Sequence, residues 1–156
     1  MDRFRFTNSD GSVVRLDLND LDGWTLGRGL DLGTRATRNV YLSQDGVDGA
    51  TLASTSLEIA QMTIPIKMGR RPADTDAMLG LYQDLIDELR RETNTIEVRP
   101  TGWTGGSFFI DTFRAPEPHL VGGLELPDVF RTLEAGDAIV LTVDRMPKSR
   151  GAGDYL

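Results

Sequence analysis

Catalysis needs nucleophiles, proton carriers or metal ligands at set spacings, and this sequence offers few of them. Its single histidine, His119, would have to serve any Ser-His-Asp or Cys-His machinery. It stands in "APEPHLVGGLELPD" with no serine or carboxylate set beside it by a recognisable motif, so it reads as an exposed or interface histidine. There is no cysteine, which excludes disulfides and thiolate metal sites. "DGVDG" sets Asp45 and Asp48 beside Gly46, oxygens of the kind calcium takes. The alternating acids and distal bidentate Glu of an EF-hand loop are missing, however, and turn chemistry is the better reading. "GRGLDLG" has neither a GxGxxG spacing nor a following GK[ST], so it does not predict a phosphate cradle. Arg28, Arg35 and Arg38 read as an ion-pair or interface face in a chain of net charge -7. The expectation is a protein that is not an enzyme, with no catalytic, cofactor or metal site.

What the chain does have is structure in surplus. At 156 residues and 39% hydrophobic it suits one domain, with some apolar surface left for neighbours to complete. No run reaches the roughly 18 apolar residues of a membrane span, and "MDRFRFTNSDGS" lacks the apolar core of a secretion signal. The acidic balance argues against a duplex-DNA binder that works by neutralising phosphates.

Alternation at Phe4 and Phe6, the turn "NSDG" at Asn8–Gly11, and Val14, Leu16 and Leu18 opposite Arg15 and Asp17 predict a hairpin. Trp24 to Leu26 reads as a short strand between glycine turns. Leu57 to Met68, if one strand, would span roughly 40 Å at about 3.3 Å per residue. Its apolar parity switches near Ala60 and Gln61, from Leu57 and Ile59 to Met62, Ile64, Ile66 and Met68, which predicts a β-bulge and a bend. Pro65 takes the outward parity and fits an edge. Ser43 to Ser56, before this strand, reads as a long loop.

A helix is predicted over about 74–92. Asp74 caps it, Met78, Leu81, Tyr82, Leu85, Ile86 and Leu89 face inward, Asp84, Asp87 and Glu88 face out, and Arg90 and Arg91 lie in its last turn. Gly80 inside it predicts close packing against the sheet or a neighbour. A second hairpin, Thr95–Arg99 and Ser107–Arg114, surrounds "TGWTGG" and puts Trp103 at its tip. A short strand at Leu124–Leu126 follows, then Val129–Leu133 and Asp137–Met146 paired through "EAG", with Ile139, Leu141 and Val143 on one face. "PKSRGAGDYL" is too polar to pack alone. The fold class is α+β, mainly antiparallel β, a sandwich or barrel with one flanking helix and long loops.

Taken in order, "GSVVRLDL", "DGWTL", the "QDG" that opens a long loop, "LEIAQMTIPIKM", the helix "ADTDAMLGLYQDLIDEL" and "TIEVRP" before a closing strand pair resemble the distal tail protein family of long-tailed bacteriophages and related tail-tube proteins. The resemblance implies a tail-tube-like domain over 1–146 and a C-terminal tail, 147–156, that reaches a neighbouring subunit. It implies a hexameric ring whose long strands line a lumen and whose 43–56 loop reaches a neighbour or the next ring. It also implies tail-tube and hub or baseplate partners, a place in the virion tail after synthesis in the host cytoplasm, no membrane, and no cofactor. Genomic DNA would pass through without specific binding. The interface candidates are Asp45, Gly46, Asp48, Pro65, Trp103, Tyr155 and Leu156. A major tail-tube or other minor tail protein is the near alternative. A small β-rich sugar- or protein-binding module centred on Trp103 is the distant one.

Overall fold

The computed structural model describes residues 1–33, 37–43, 50–70, 74–113 and 138–151. Their strands are β1 (Arg3–Thr7), β2 (Val14–Asp17), β3 (Trp24–Leu26), β4 (Thr37–Ser43), β5 (Ala50–Leu57), β6 (Ala60–Met68), β7 (Thr93–Arg99), β8 (Phe108–Phe113), β9 (Ile139–Arg145) and β10 (Arg150–Gly151), with one helix, α1 (Thr75–Leu89).

The first hairpin forms where alternation predicts it. Val13 N–H donates to the Asn8 side chain at 3.0 Å and Ser12 N–H to Asp10 at 2.8 Å, local bonds of the kind that favour Asn and Asp in turns. Gly11 sits at φ +75°, a conformation glycine adopts without steric cost. Phe4 and Phe6 point inward and are fully buried.

The large sheet runs β2-β1-β7-β8-β9-β6-β3, with β10 added on β8. Every pairing between named strands is antiparallel. Leu26 N–H donates to Leu18 carbonyl at 2.7 Å and Asn19 bridges Thr25, so the far edges meet and the sheet nearly closes on itself. Its inward positions form one core that includes Phe4, Phe6, Trp24, Met62, Ile64, Ile66, Ile96, Ile110 and Leu141. Removing such side chains from water stabilises the fold by about 1.5–3 kcal/mol each.

The helix begins at its predicted cap, with Asp74 accepting the Ala77 N–H at 2.7 Å. Met78, Leu85 and Leu89 complete the core, and Trp24 Nε1 donates to Leu81 carbonyl at 3.1 Å. Two expectations are corrected here. The helix ends at Leu89 with Arg90 as its C-cap, so Arg90 and Arg91 lie beyond its last turn. Glu88 is buried rather than outward, because Arg91 binds it at 2.8 Å and Arg15 of β2 approaches to 3.6 Å. Among the described residues Gly80 has nothing within 4 Å of where a Cβ would stand, so it makes no close approach to the sheet there.

The stretch Leu57–Met68 is two strands in two different sheets, separated by Glu58 and Ile59. The parity switch is therefore a change of sheet, not a bulge within one strand. Much of the predicted 43–56 loop is also strand: β5 pairs with β4 as a separate two-stranded sheet. Pro65, expected outward, is buried. Its carbonyl accepts the Gly27 N–H at 2.8 Å, and its missing N–H falls on that same side, just past the last β3–β6 pair at Leu26–Ile66.

β9 turns Ile139, Leu141 and Val143 inward as read. The chain just after it, through Gly151, does not trail away. Met146 N–H donates to Asp111 carbonyl at 2.8 Å and β10 pairs with Phe108 and Phe109. Arg150 grips Asp111 at 2.6 and 2.8 Å and also donates to Ser9 carbonyl at 2.9 Å. Residues 147–151 are thus a strap on their own barrel, held by long-range partners that composition does not reveal. His119, the predicted strands at Leu124–Leu126 and Val129–Leu133, and the "EAG" turn lie outside the described residues.

Candidate functional site

The part of the molecule whose composition its own fold leaves unexplained is the β4–β5 ribbon, here called the arm. Its register pairs Asn39 with Thr55, Val40 with Ser54 and Tyr41 with Leu52, with a shift between Val40 and Tyr41. Alternation then puts Asn39, Tyr41, Leu52 and Thr55 on one face and Arg38, Val40 and Leu42 on the other. Thr55 Oγ1 donates to Asn39 Oδ1 at 3.0 Å, which fixes the first of these faces. The apolar side chains lie open to solvent on both: Val40 41%, Tyr41 58%, Leu42 65% and Leu52 51% exposed.

An isolated two-stranded ribbon is marginal in water, and an edge strand is normally guarded by charge, Pro or a covering element. Arg38 is the one charged residue among the described arm residues, and none of them is Pro. Among the described residues neither arm strand has a second partner strand. The arm is therefore built like a strand pair awaiting a cover.

The chain is closely packed at Gly33, the root of the arm, where it leaves the barrel. Gly33 sits at φ +76°, and a Cβ there would stand 2.2 Å from Gln61 carbonyl, so a side chain is excluded. Arg145, fully buried, donates to Leu32 carbonyl at 2.9 Å and to Met146 carbonyl at 3.1 Å, which ties the root to the strap. Beside it lies a cleft of about 550 Å³ lined by Leu57, Asp111, Met146, Pro147, Lys148 and Arg150. Ile59, just after the arm, and Met146, in the lining of the cleft, are both exposed.

A second feature is ionic. Glu97, buried on the outer side of β7, accepts from Arg3 at 3.1 Å, Arg5 at 2.5 Å and Ser107 at 2.5 Å. Burial pushes its carboxyl up, and the bonds from Arg5, Ser107 and Arg3 outweigh that and hold it below the ordinary range. The bonds that Arg150 donates to Asp111 raise its guanidinium above its usual value. Among the described residues no group of three His, Cys, Asp or Glu could hold a metal ion, and no helix is long and apolar enough to cross a membrane.

Two of the predicted interface residues are placed by the structure. Pro65 is buried beneath Gly27. Trp103 folds back on its own turn: Nε1 donates to Gly106 carbonyl at 3.0 Å, and the ring packs on Phe108 with centroids 5.6 Å apart. It is half-buried rather than displayed at a tip. Asp45, Gly46, Asp48, Tyr155 and Leu156 lie outside the described residues. The residues that sequence reasoning missed are Val40, Tyr41, Leu42 and Leu52. Two β-prone runs, "TRNVYLS" and "ATLASTSL", flanking a Gly/Asp-rich break were the available hairpin signal.

No protein-family model matches the chain, and no curated protein matches it. Among solved structures, a chain from the phage P2 baseplate in its activated conformation with Ca superposes with a TM-score of 0.57 at 12% identity. The match covers 92% of this chain and 43% of that one. At this identity the likeness is one of fold, and the present chain spans less than half the length of the chain it matches.

Proposed function

We propose that the chain is a structural, non-enzymatic component of a long-tailed bacteriophage tail. Its copies form a ring, hexameric in this reading, that continues the tail-tube lumen at the tail tip between the tube and the baseplate or fibre proteins. The observation that carries the proposal is the arm, whose apolar side chains are uncovered on both faces and whose edges are unguarded. Copies of the chain or adjoining tail proteins would supply the missing cover. The likeness in fold to a phage baseplate chain supports the setting. The net charge of -7 supports a conduit, because like charge keeps a DNA duplex from adhering to the wall, whereas bound phosphates would act as brakes.

Native mass measurement of the purified chain at micromolar concentration tests the reading. A species of six chain masses is expected, with DNA retained no more strongly than by an inert acidic protein. A monodisperse monomer, both alone and with tail-tube protein added, would count against it. The rival reading, a sugar- or protein-binding module, would have to use the part of Trp103 that its own hairpin leaves exposed.

A further inference from the structure

On one surface outside the arm, Arg99 has no ion-pair partner among the described residues. β1 and β7 pair so that Arg3 stands directly opposite Arg99, and like charges so placed repel. Glu97, two residues before Arg99 on β7, is engaged by Arg3, Arg5 and Ser107. Asp17, opposite Arg5, accepts the Asn19 N–H at 2.9 Å. Arg99 is half-buried, and its Nε is shielded from solvent with no hydrogen-bond partner. A shielded guanidinium N–H without an acceptor is costly, and a carboxylate brought against the half-buried Arg99 side chain would offset the repulsion between the two guanidinium groups.

The complementary surface is on the same chain. Asp76, Gly80, Asp84 and Asp87 recur at helical spacing along one face of α1, all exposed, and no Lys, Arg or His lies within the helix. Gly80 leaves this face flat, with nothing within 4 Å of its would-be Cβ, so another backbone could approach closely there.

We propose that the acidic face of α1 in one copy docks on the Arg3–Arg99 pair of a second copy. The charge complementarity of the two surfaces selects the occupant. Because they are different patches, the contact is head-to-tail and closes into a ring or runs on as a filament. The inference rests on the ring reading and names one contact within it.

The test is charge exchange in the full chain, read by native mass at low and high ionic strength. Asp84→Arg, at an exposed position that leaves the fold intact, and Arg99→Glu should each raise the concentration needed for assembly by about tenfold or more, because each brings like charges together across the interface. The two substitutions combined in one chain, or the two single variants mixed, should restore assembly. High salt should weaken the wild-type contact.

Single variants that assemble like wild type, or a combination no better than either single, would overturn this contact while leaving the ring. A wild-type chain that stays monomeric would overturn both. Inorganic phosphate that raises the Tm of wild type but not of Arg99→Gln, with assembly unchanged in the charge variants, would assign the arginine pair to a free oxyanion and overturn the second-copy occupant.

Discussion

The barrel and the arm are made of the same material put to opposite uses. In β6, Ala60, Met62, Ile64, Ile66 and Met68 alternate along one strand and all five are buried. In the arm, Val40, Tyr41, Leu42 and Leu52 sit on a ribbon of comparable strand length and stay exposed. Alternation stabilises a strand only when its apolar face has something to press against. The barrel closes on itself and provides that surface internally. Among the described residues the arm has none, and its apolar side chains stay in water.

The contrast predicts that substitutions in the two regions act on different quantities. Trp24→Ala has the largest expected effect on the folded chain. It empties a fully buried site and removes the Nε1 bond to Leu81 carbonyl, at a cost of about 3–5 kcal/mol. Urea unfolding should show a midpoint shift of that size. A cost under about 1 kcal/mol would mean that the core tolerates a large cavity and that barrel and arm differ less than claimed.

Next comes the clasp between the first and seventh strands. Glu97→Gln removes the charge that Arg3 and Arg5 both bind and should cost about 2 kcal/mol, as for a partly buried charged hydrogen bond. The carboxyl is depressed in the fold, so its contribution is fully present above the ordinary value of 4.5 and fades as pH falls below that toward the folded value. Comparing wild type and Glu97→Gln by thermal unfolding across pH 3–7 checks the sign: their difference should shrink on acidification. A difference that grew would place the stabilising charge elsewhere.

What the sequence made legible follows the reach of each signal. Local patterns carried the helix start at Asp74, the first hairpin through "NSDG", and the inward set Ile139, Leu141 and Val143, because caps, turns and periodicity act over a few residues. Period two in Leu57–Met68 revealed strand but not which sheet, since both sheets impose the same period. Glu88 looked solvent-facing because Arg15, one of its two ion-pair partners, comes from β2. The polar tail gave no hint of the Arg150–Asp111 clamp. Of the candidate interface, the burial of Pro65 beside Gly27 comes from outside the local strand pattern, and the folding back of Trp103 comes from its glycine-rich turn. The exposed arm residues were missed because their second run was taken for loop.

A smaller effect of opposite sign sharpens the comparison on the helix. Gly80→Ala adds a methyl group where nothing among the described residues lies within 4 Å, and Ala is the better helix former by about 1 kcal/mol. The isolated chain should therefore gain about 0.5–1 kcal/mol of stability. If assembly weakens at the same time, the glycine serves a contact between copies. If stability falls instead, the helix face is covered within the chain after all.

The smallest expected change in fold stability belongs to the arm. Replacing Tyr41 and Leu52 together by Ser removes a cross-strand apolar pair that is more than half exposed on both sides. Unfolding of the monomeric barrel should shift by no more than about 0.5 kcal/mol, as for surface positions. Assembly should fail, because an interface concentrates its energy in a few aromatic and aliphatic anchors. Measuring both on the same variant divides the outcomes cleanly. An intact barrel that no longer assembles makes the arm an intermolecular element. A barrel that unfolds with the substitutions shows that the ribbon is packed against its own body. A variant that still assembles fully moves the interface elsewhere and leaves the unguarded edges as the next place to look, through an Ala53→Pro substitution at the register shift.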